Sequence, residues 1–144
     1  MNPYAQLDAL YASLPKLQCI GLCQNSCGPI VVSGLEWRRL AHRVGYEPFS
    51  SKRDNTCSLL DQQTGRCTVY ALRPTVCRLW GVVENMPCPF GCVPERKLTT
   101  EEGYRFLENA DEISKKLGYP QTKSTLGDEG WKTYLLKSAI DRGI

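Results

Sequence analysis

Eight of the 144 residues are cysteine, and their placement constrains what this chain can fold into more than any other feature. Cys19, Cys23 and Cys27 are separated by three residues each, Cys57, Cys67 and Cys77 recur at intervals of ten, and Cys88 and Cys92 again enclose three. So many sulfurs in a short chain mean either disulfides or metal. The opening Met1-Asn2-Pro3-Tyr4-Ala5-Gln6-Leu7-Asp8 has no Lys or Arg before Lys16 and no apolar run of signal-peptide length. No window approaches the roughly 18 apolar residues of a membrane span. The expectation is a cytoplasmic protein whose thiols stay reduced, and reduced thiols in this number point to metal.

Four sulfurs complete either a tetrahedral zinc site or one cubane cluster, so eight permit two sites, or one site with spare thiols. Zinc knuckles usually leave two residues between paired cysteines, and no such pair exists here, although three is tolerated. A 4Fe-4S cluster accepts isolated cysteines from different segments, which suits Cys57, Cys67 and Cys77. The reading favours an iron–sulfur cluster, with zinc as the alternative. Gly21, Gly28-Pro29, Pro87, Pro89 and Gly91 lie beside the sulfurs, where small and turn-forming residues let backbone amides face the ligands. His42, the only histidine, is assigned a structural role because the sulfurs already make complete sets.

The formal net charge of +3 does not argue for a polyanionic partner. Eight thiolates would outweigh it, and two zinc(II) ions would return only four positive charges. The short runs Trp37-Arg38-Arg39 and Arg96-Lys97 read as solvated faces. Neither nucleic acid nor membrane is expected as a partner; another protein is.

The predicted fold is a small α-rich (α+β) metal-stabilised domain, one domain over residues 1–144, with short helices around a cysteine-ligated site and one short β-hairpin. A first helix is expected over residues 3–14, with Leu7, Leu10, Tyr11 and Leu14 at helical spacing and Pro15 as its stop. Ser33-Gly34-Leu35-Glu36 is a capping-box signature opening a helix that stops at Gly45, with Leu35, Leu40 and Val44 on its inner face. Leu59-Leu60 and Cys67-Thr68-Val69-Tyr70 flank a polar five-residue segment and predict a hairpin that brings Cys57 near Cys67. Pro74 suits the first turn of a short helix carrying Cys77 and ending at Gly81. Thr99 with Glu102 opens a further helix to Leu117-Gly118. A last one over residues 128–142 would use Trp131, Leu135, Leu136 and Ile140. The large side chains of these two, Tyr104, Leu107 and Ile113 among them, are expected to cover the cysteine zone. Gly118 to Gly127 reads as a linker.

The run Cys57-Ser58-Leu59-Leu60, Gly65-Arg66-Cys67-Thr68-Val69-Tyr70 and Arg73-Pro74-Thr75-Val76-Cys77-Arg78-Leu79-Trp80 resembles the central signature of the YkgJ-like cysteine-cluster family. The resemblance spans roughly residues 19–92. That family's domain is described as zinc- or iron-chelating, and a related cysteine region occurs in flagellin lysine-N-methylases. The resemblance implies metal-ligand roles for Cys57, Cys67 and Cys77, and also for Cys19, Cys23, Cys27, Cys88 and Cys92. Family members usually end their first group in an adjacent Cys-Cys pair, whereas here Cys27 is followed by Gly28. Arg73 and Pro74 belong to the same pattern, and Arg73 reads as a guanidinium bridging backbone carbonyls at a turn.

The functional expectation is an accessory or interaction protein whose site is structural or passes electrons. The alternative is a redox or methyl-transfer-associated enzyme. There is no glycine-rich strand-to-helix loop for a nucleotide-like cofactor, and no Ser/His/Asp set is possible beyond His42, so no catalytic residue is assigned. Because the 19–92 segment has few residues able to build a core without its ligands, removing metal with a chelator should unfold much of the chain. Retention of the full circular dichroism and melting temperature after stripping would show that the metal is not structural.

Overall fold

The computed structural model describes residues 2–17, 30–46, 59–61, 63–64, 66–88 and 91–124. The chain is a small α+β fold whose described elements follow in the order α1 (Ala5–Ala12), β1 (Val31–Val32), α2 (Gly34–Val44), β2 (Leu60–Asp61), β3 (Arg66–Cys67), a 3-10 turn at Tyr70–Leu72, α3 (Thr75–Leu79), α4 (Thr100–Lys116) and β4 (Lys123–Ser124). The expected helix over residues 128–142 lies outside the described residues.

Helix boundaries follow local chemistry. Both predicted capping boxes form: Ser33 and Glu36 exchange hydrogen bonds at the start of α2, and Thr99 and Glu102 do so at the start of α4. Gly45 and Gly118 adopt positive φ angles of 81° and 90° just past α2 and α4, a conformation that glycine reaches without a Cβ clash. Glu84 adds a cap from outside α4, accepting from Thr100 N at 3.0 Å and Thr100 Oγ1 at 3.1 Å.

The hairpin pairs β2 with β3 in antiparallel register, Leu60 opposite Cys67 and Asp61 opposite Arg66. Its ladder therefore includes Asp61 and Arg66, beyond the residues expected to form the strands. An acid facing a base across the pair is a favourable arrangement. Val69 and Tyr70 leave the ladder for the 3-10 turn. A second antiparallel pair, β1 with β4, was not anticipated. It corrects the reading of residues 118–124 as linker: Lys123 pairs with Val32 and Ser124 with Val31, and Tyr119 packs into the core.

Among the described residues, three apolar clusters support the elements. Leu7 and Tyr11 of α1 meet Leu35 of α2 and Ala110 of α4. Leu14, Leu79, Val82, Val83 and Leu98 form a second cluster that Phe106 and Leu107 of α4 cover. Leu40, Leu59 and Val69 form a third, with Cys67 packed against it. Helix α4 thus touches α1, α2 and α3. Its seam runs through Gly103, Ala110 and Ser114, so Tyr104 points outward and is 60 % exposed, contrary to expectation. A Cβ on Gly103 would stand 3.0 Å from Val83, which shows how closely the helix approaches there. Trp37, read as part of a solvated face, is buried instead, while Arg38 and Arg39 lie over the rings of Tyr119 and Tyr4.

Ser114 ties these layers together, accepting from Leu35 N at 2.9 Å and donating to Tyr119 O. Ser114→Ala would leave the buried Leu35 N–H without that acceptor and should cost about 1–3 kcal/mol. Urea unfolding of the two proteins measures the difference; equal midpoints would show that the contact is dispensable.

Candidate metal centre

Four of the eight expected ligands, Cys67, Cys77, Cys88 and Cys92, fall within the described residues, and all four are partly buried. Cys19, Cys23, Cys27 and Cys57 lie outside them. Among the described residues no group of three or more His, Cys, Asp or Glu side chains stands close enough to hold a metal ion, so these four sulfurs do not complete a site by themselves.

Each described cysteine is placed by a different device. Cys67 sits at the end of β3, against the Leu40–Leu59–Val69 cluster. Cys77 lies one turn into α3, with its N–H donating to Pro74 O at 3.0 Å. Cys88 is carried back toward α3 by a loop that is closed by Gly81 N donating to Met86 O at 2.6 Å. A Cβ on Gly81 would come 3.6 Å from the Cys88 Cβ and 2.7 Å from Leu17 Cδ2. Gly81 also has φ +86°, so both space and backbone conformation call for glycine. Between Cys88 and Cys92 the chain turns at Gly91, φ +81°, whose N–H reaches Cys88 O at 3.2 Å. The base of this loop is fixed by the bridge between Val83 and Leu98.

The described chain on either side of residues 18–29 is anchored beside α3. Leu17 packs at Gly81, while Lys16 and Glu95 exchange hydrogen bonds of 2.9 Å and 3.1 Å. On the far side, β1 runs within 8 Å of α3.

Sequence reasoning missed the polar group beneath α3. Glu36 is 3 % exposed, yet its carboxylate accepts from Tyr11 Oη at 2.5 Å, Thr75 N at 2.6 Å, Thr75 Oγ1 at 2.9 Å and Ser33 Oγ at 2.8 Å. The capping-box pattern announced Glu36, but nothing local announced its partners in α1 and α3. Arg78 lies 4.0 Å over the Tyr11 ring and donates to Arg73 O at 2.6 Å and Ala71 O at 2.9 Å. The carbonyl-bridging role expected of Arg73 therefore belongs to Arg78. Arg73 stacks 3.9 Å over Tyr70 and donates to the single carbonyl of Tyr70. Burial, and then the neighbouring Arg73 charge, hold the Arg78 guanidinium below its ordinary pKa.

His42 is exposed on the last turn of α2. It lines a groove of about 410 Å³ with Trp37, Arg38, Tyr119 and Lys123, and none of the four described cysteines lines it. No helix among the described residues is long and apolar enough to cross a membrane.

Residues 18–102 match the CxxCxxCC family, described as a putative zinc- or iron-chelating domain, over more than half of the chain. The chain belongs to this family. The match agrees with the cysteine-cluster resemblance and extends it through Glu102 in the first turn of α4. No curated protein and no solved structure matches the chain. The donor chemistry fits the family's description: soft sulfur ligands, partly shielded from water, suit zinc and iron–sulfur centres.

Tyr11 gives this region a pH signature. Burial first, then the Glu36 charge and hydrogen bond, push its phenol far above the ordinary 10.0, so it stays a neutral donor at a pH where an exposed tyrosine would ionise. The unfolded chain releases that proton first, so the stabilisation is complete below the ordinary value and is lost as pH rises above it. Native protein should lose stability steeply above about pH 10, and Tyr11→Phe should lose less over the same range. Unfolding midpoints from about pH 8 to about pH 12 test this, and parallel curves would refute it.

Proposed function

We propose that this member of the family is a cysteine-ligated metalloprotein, acting as an accessory or interaction protein in the cytoplasm. The observation that carries the reading is the anchoring of Lys16-Leu17 and of β1 beside α3 and Gly81, where Cys77 and Cys88 stand. Both described flanks of residues 18–29, the segment whose sequence includes Cys19, Cys23 and Cys27, are therefore held beside α3. The ligands in this proposal are Cys19, Cys23, Cys27, Cys57, Cys67, Cys77, Cys88 and Cys92, with Cys57, Cys67 and Cys77 in one principal site. A 4Fe-4S cluster is favoured over zinc because the sulfurs come singly from separate segments. Bound there, a cluster would supply one-electron transfer, and zinc would supply fixed geometry alone. The partner is another protein, which the exposed aromatic side chains Tyr70, Trp80 and Tyr46 would suit.

Removing one ligand of a four-sulfur site forfeits much of a binding free energy that in structural zinc sites is on the order of 10 kcal/mol or more. Cys57→Ser, Cys67→Ser and Cys77→Ser should each lose metal and soluble yield together, while His42→Ala keeps full occupancy. Metal per chain in anaerobically purified protein is the measurement. Full occupancy in the three cysteine variants, or loss only in the histidine variant, would overturn the assignment. A brown protein with a broad band in the blue identifies the cluster, and a colourless one with stoichiometric zinc identifies the alternative.

A further inference from the structure

One sequence pattern occurs twice in this chain and holds different things. At α4, Glu102 serves its own helix, accepting from Thr99 N at 3.1 Å and from the neighbouring Arg96. At α2, Glu36 makes the same capping contacts and also receives three donors from outside its helix: Tyr11 Oη, Thr75 N and Thr75 Oγ1, all on Oε2. Capping requires none of these three.

The properties of α3 explain them. Five residues make a helix too short to persist alone. Its N-cap is Pro74, which provides no side-chain cap. The carboxylate of Glu36 fills that role from another helix, binding both the N–H and the hydroxyl of Thr75, the first residue of α3. Cys77 comes two residues later, tied back to Pro74 O. Arg78, directly after Cys77, is fixed by Arg73 O, Ala71 O and the Tyr11 ring. Chain on both sides of the sulfur-bearing residue is thus held by one polar group, with Glu36 at its centre.

We propose that Glu36 is the positioning residue for the Cys77 ligand: its carboxylate sets where α3 begins, and thereby where the Cys77 sulfur stands in the metal site. The proposal rests on the metal-binding reading above. A carboxylate is required because Oε2 takes three donors while Oε1 serves Ser33. A glutamine has one oxygen for these contacts, and its NH2 would face donors at the other position.

Cobalt(II) titration of the full chain, read by its thiolate charge-transfer and ligand-field bands and by competition with a chelator, tests this. Glu36→Gln should bind cobalt about 10- to 100-fold more weakly and with altered bands, as loss of an outer contact does at metal sites. Glu102→Gln, the same change in the other capping box, should match wild type in both readouts, even if its melting temperature falls. Should Glu36→Gln fail to fold, Thr75→Val and Thr75→Ser decide: the valine variant lacks the hydroxyl donor and should bind weakly, and the serine variant restores it and should recover. A folded Glu36→Gln with wild-type affinity and bands, or equal binding by the two Thr75 variants, would overturn the positioning role alone. Absence of cobalt–thiolate bands together with absence of iron and zinc from the anaerobically purified wild-type protein would instead sink the metal-binding reading, and this proposal with it. A wild-type protein that holds a cluster and takes no cobalt is compared with the same variants by cluster absorption per chain.

Discussion

A carboxylate taken out of water must be met by donors, and that requirement at Glu36 organises the described part of this fold. An unpaired buried charge is costly enough that the usual escape is neutralisation. Here the charge is met by hydrogen bonds from Tyr11 on α1, Ser33 at the start of α2 and Thr75 at the start of α3. Removing one hydrogen-bond donor from a buried charged group typically costs about 1.5–3 kcal/mol, a large share of the stability of a domain this size. Hydrogen bonds are directional, so the group fixes how the three helices meet, which apolar contact alone would leave adjustable.

The surrounding charges reinforce the arrangement. Tyr11 stays a neutral donor because its burial disfavours the phenolate and because ionising it would also set that charge beside the carboxylate. Arg78 stacks on the Tyr11 ring and spends its N–H groups on backbone carbonyls, bringing a positive charge near the pair without displacing any donor. Arg39 joins α2 to α1 through Asp8 at 2.6 Å, at a more exposed position where the ion pair adds little by itself. The apolar clusters supply most of the favourable burial, and the polar group supplies the register.

Helix α3 is where these constraints converge. It is the shortest described α-helix, and it receives a cap from α2, a stacked arginine over α1, apolar cover from α4 and strand β1 alongside. Gly81 at its end admits both Leu17 and Cys88 at close range. A metal site with ligands from several segments needs a framework that holds each segment independently, because sulfur positions must agree to within a few tenths of an ångström.

Local chemistry made much of this legible in the sequence. The Ser33/Glu36 and Thr99/Glu102 boxes, the stops at Gly45 and Gly118 and the hairpin before Cys67 depend on contacts a few residues apart, so propensity and spacing determine them. The cysteine count pointed to the class of cofactor that the family's description gives, because eight cysteines in a chain this size have few uses besides metal and disulfides. Only the tertiary structure decided which side of each element faces inward. It buried Trp37, turned Tyr104 out, paired β1 with β4 and brought Cys88 to Gly81. It also decided that one capping glutamate is a surface residue and the other a hub. Tyr11 and Thr75 are 25 and 39 residues from Glu36, and hydrogen bonds across that separation depend on how helices cross, which no local pattern encodes.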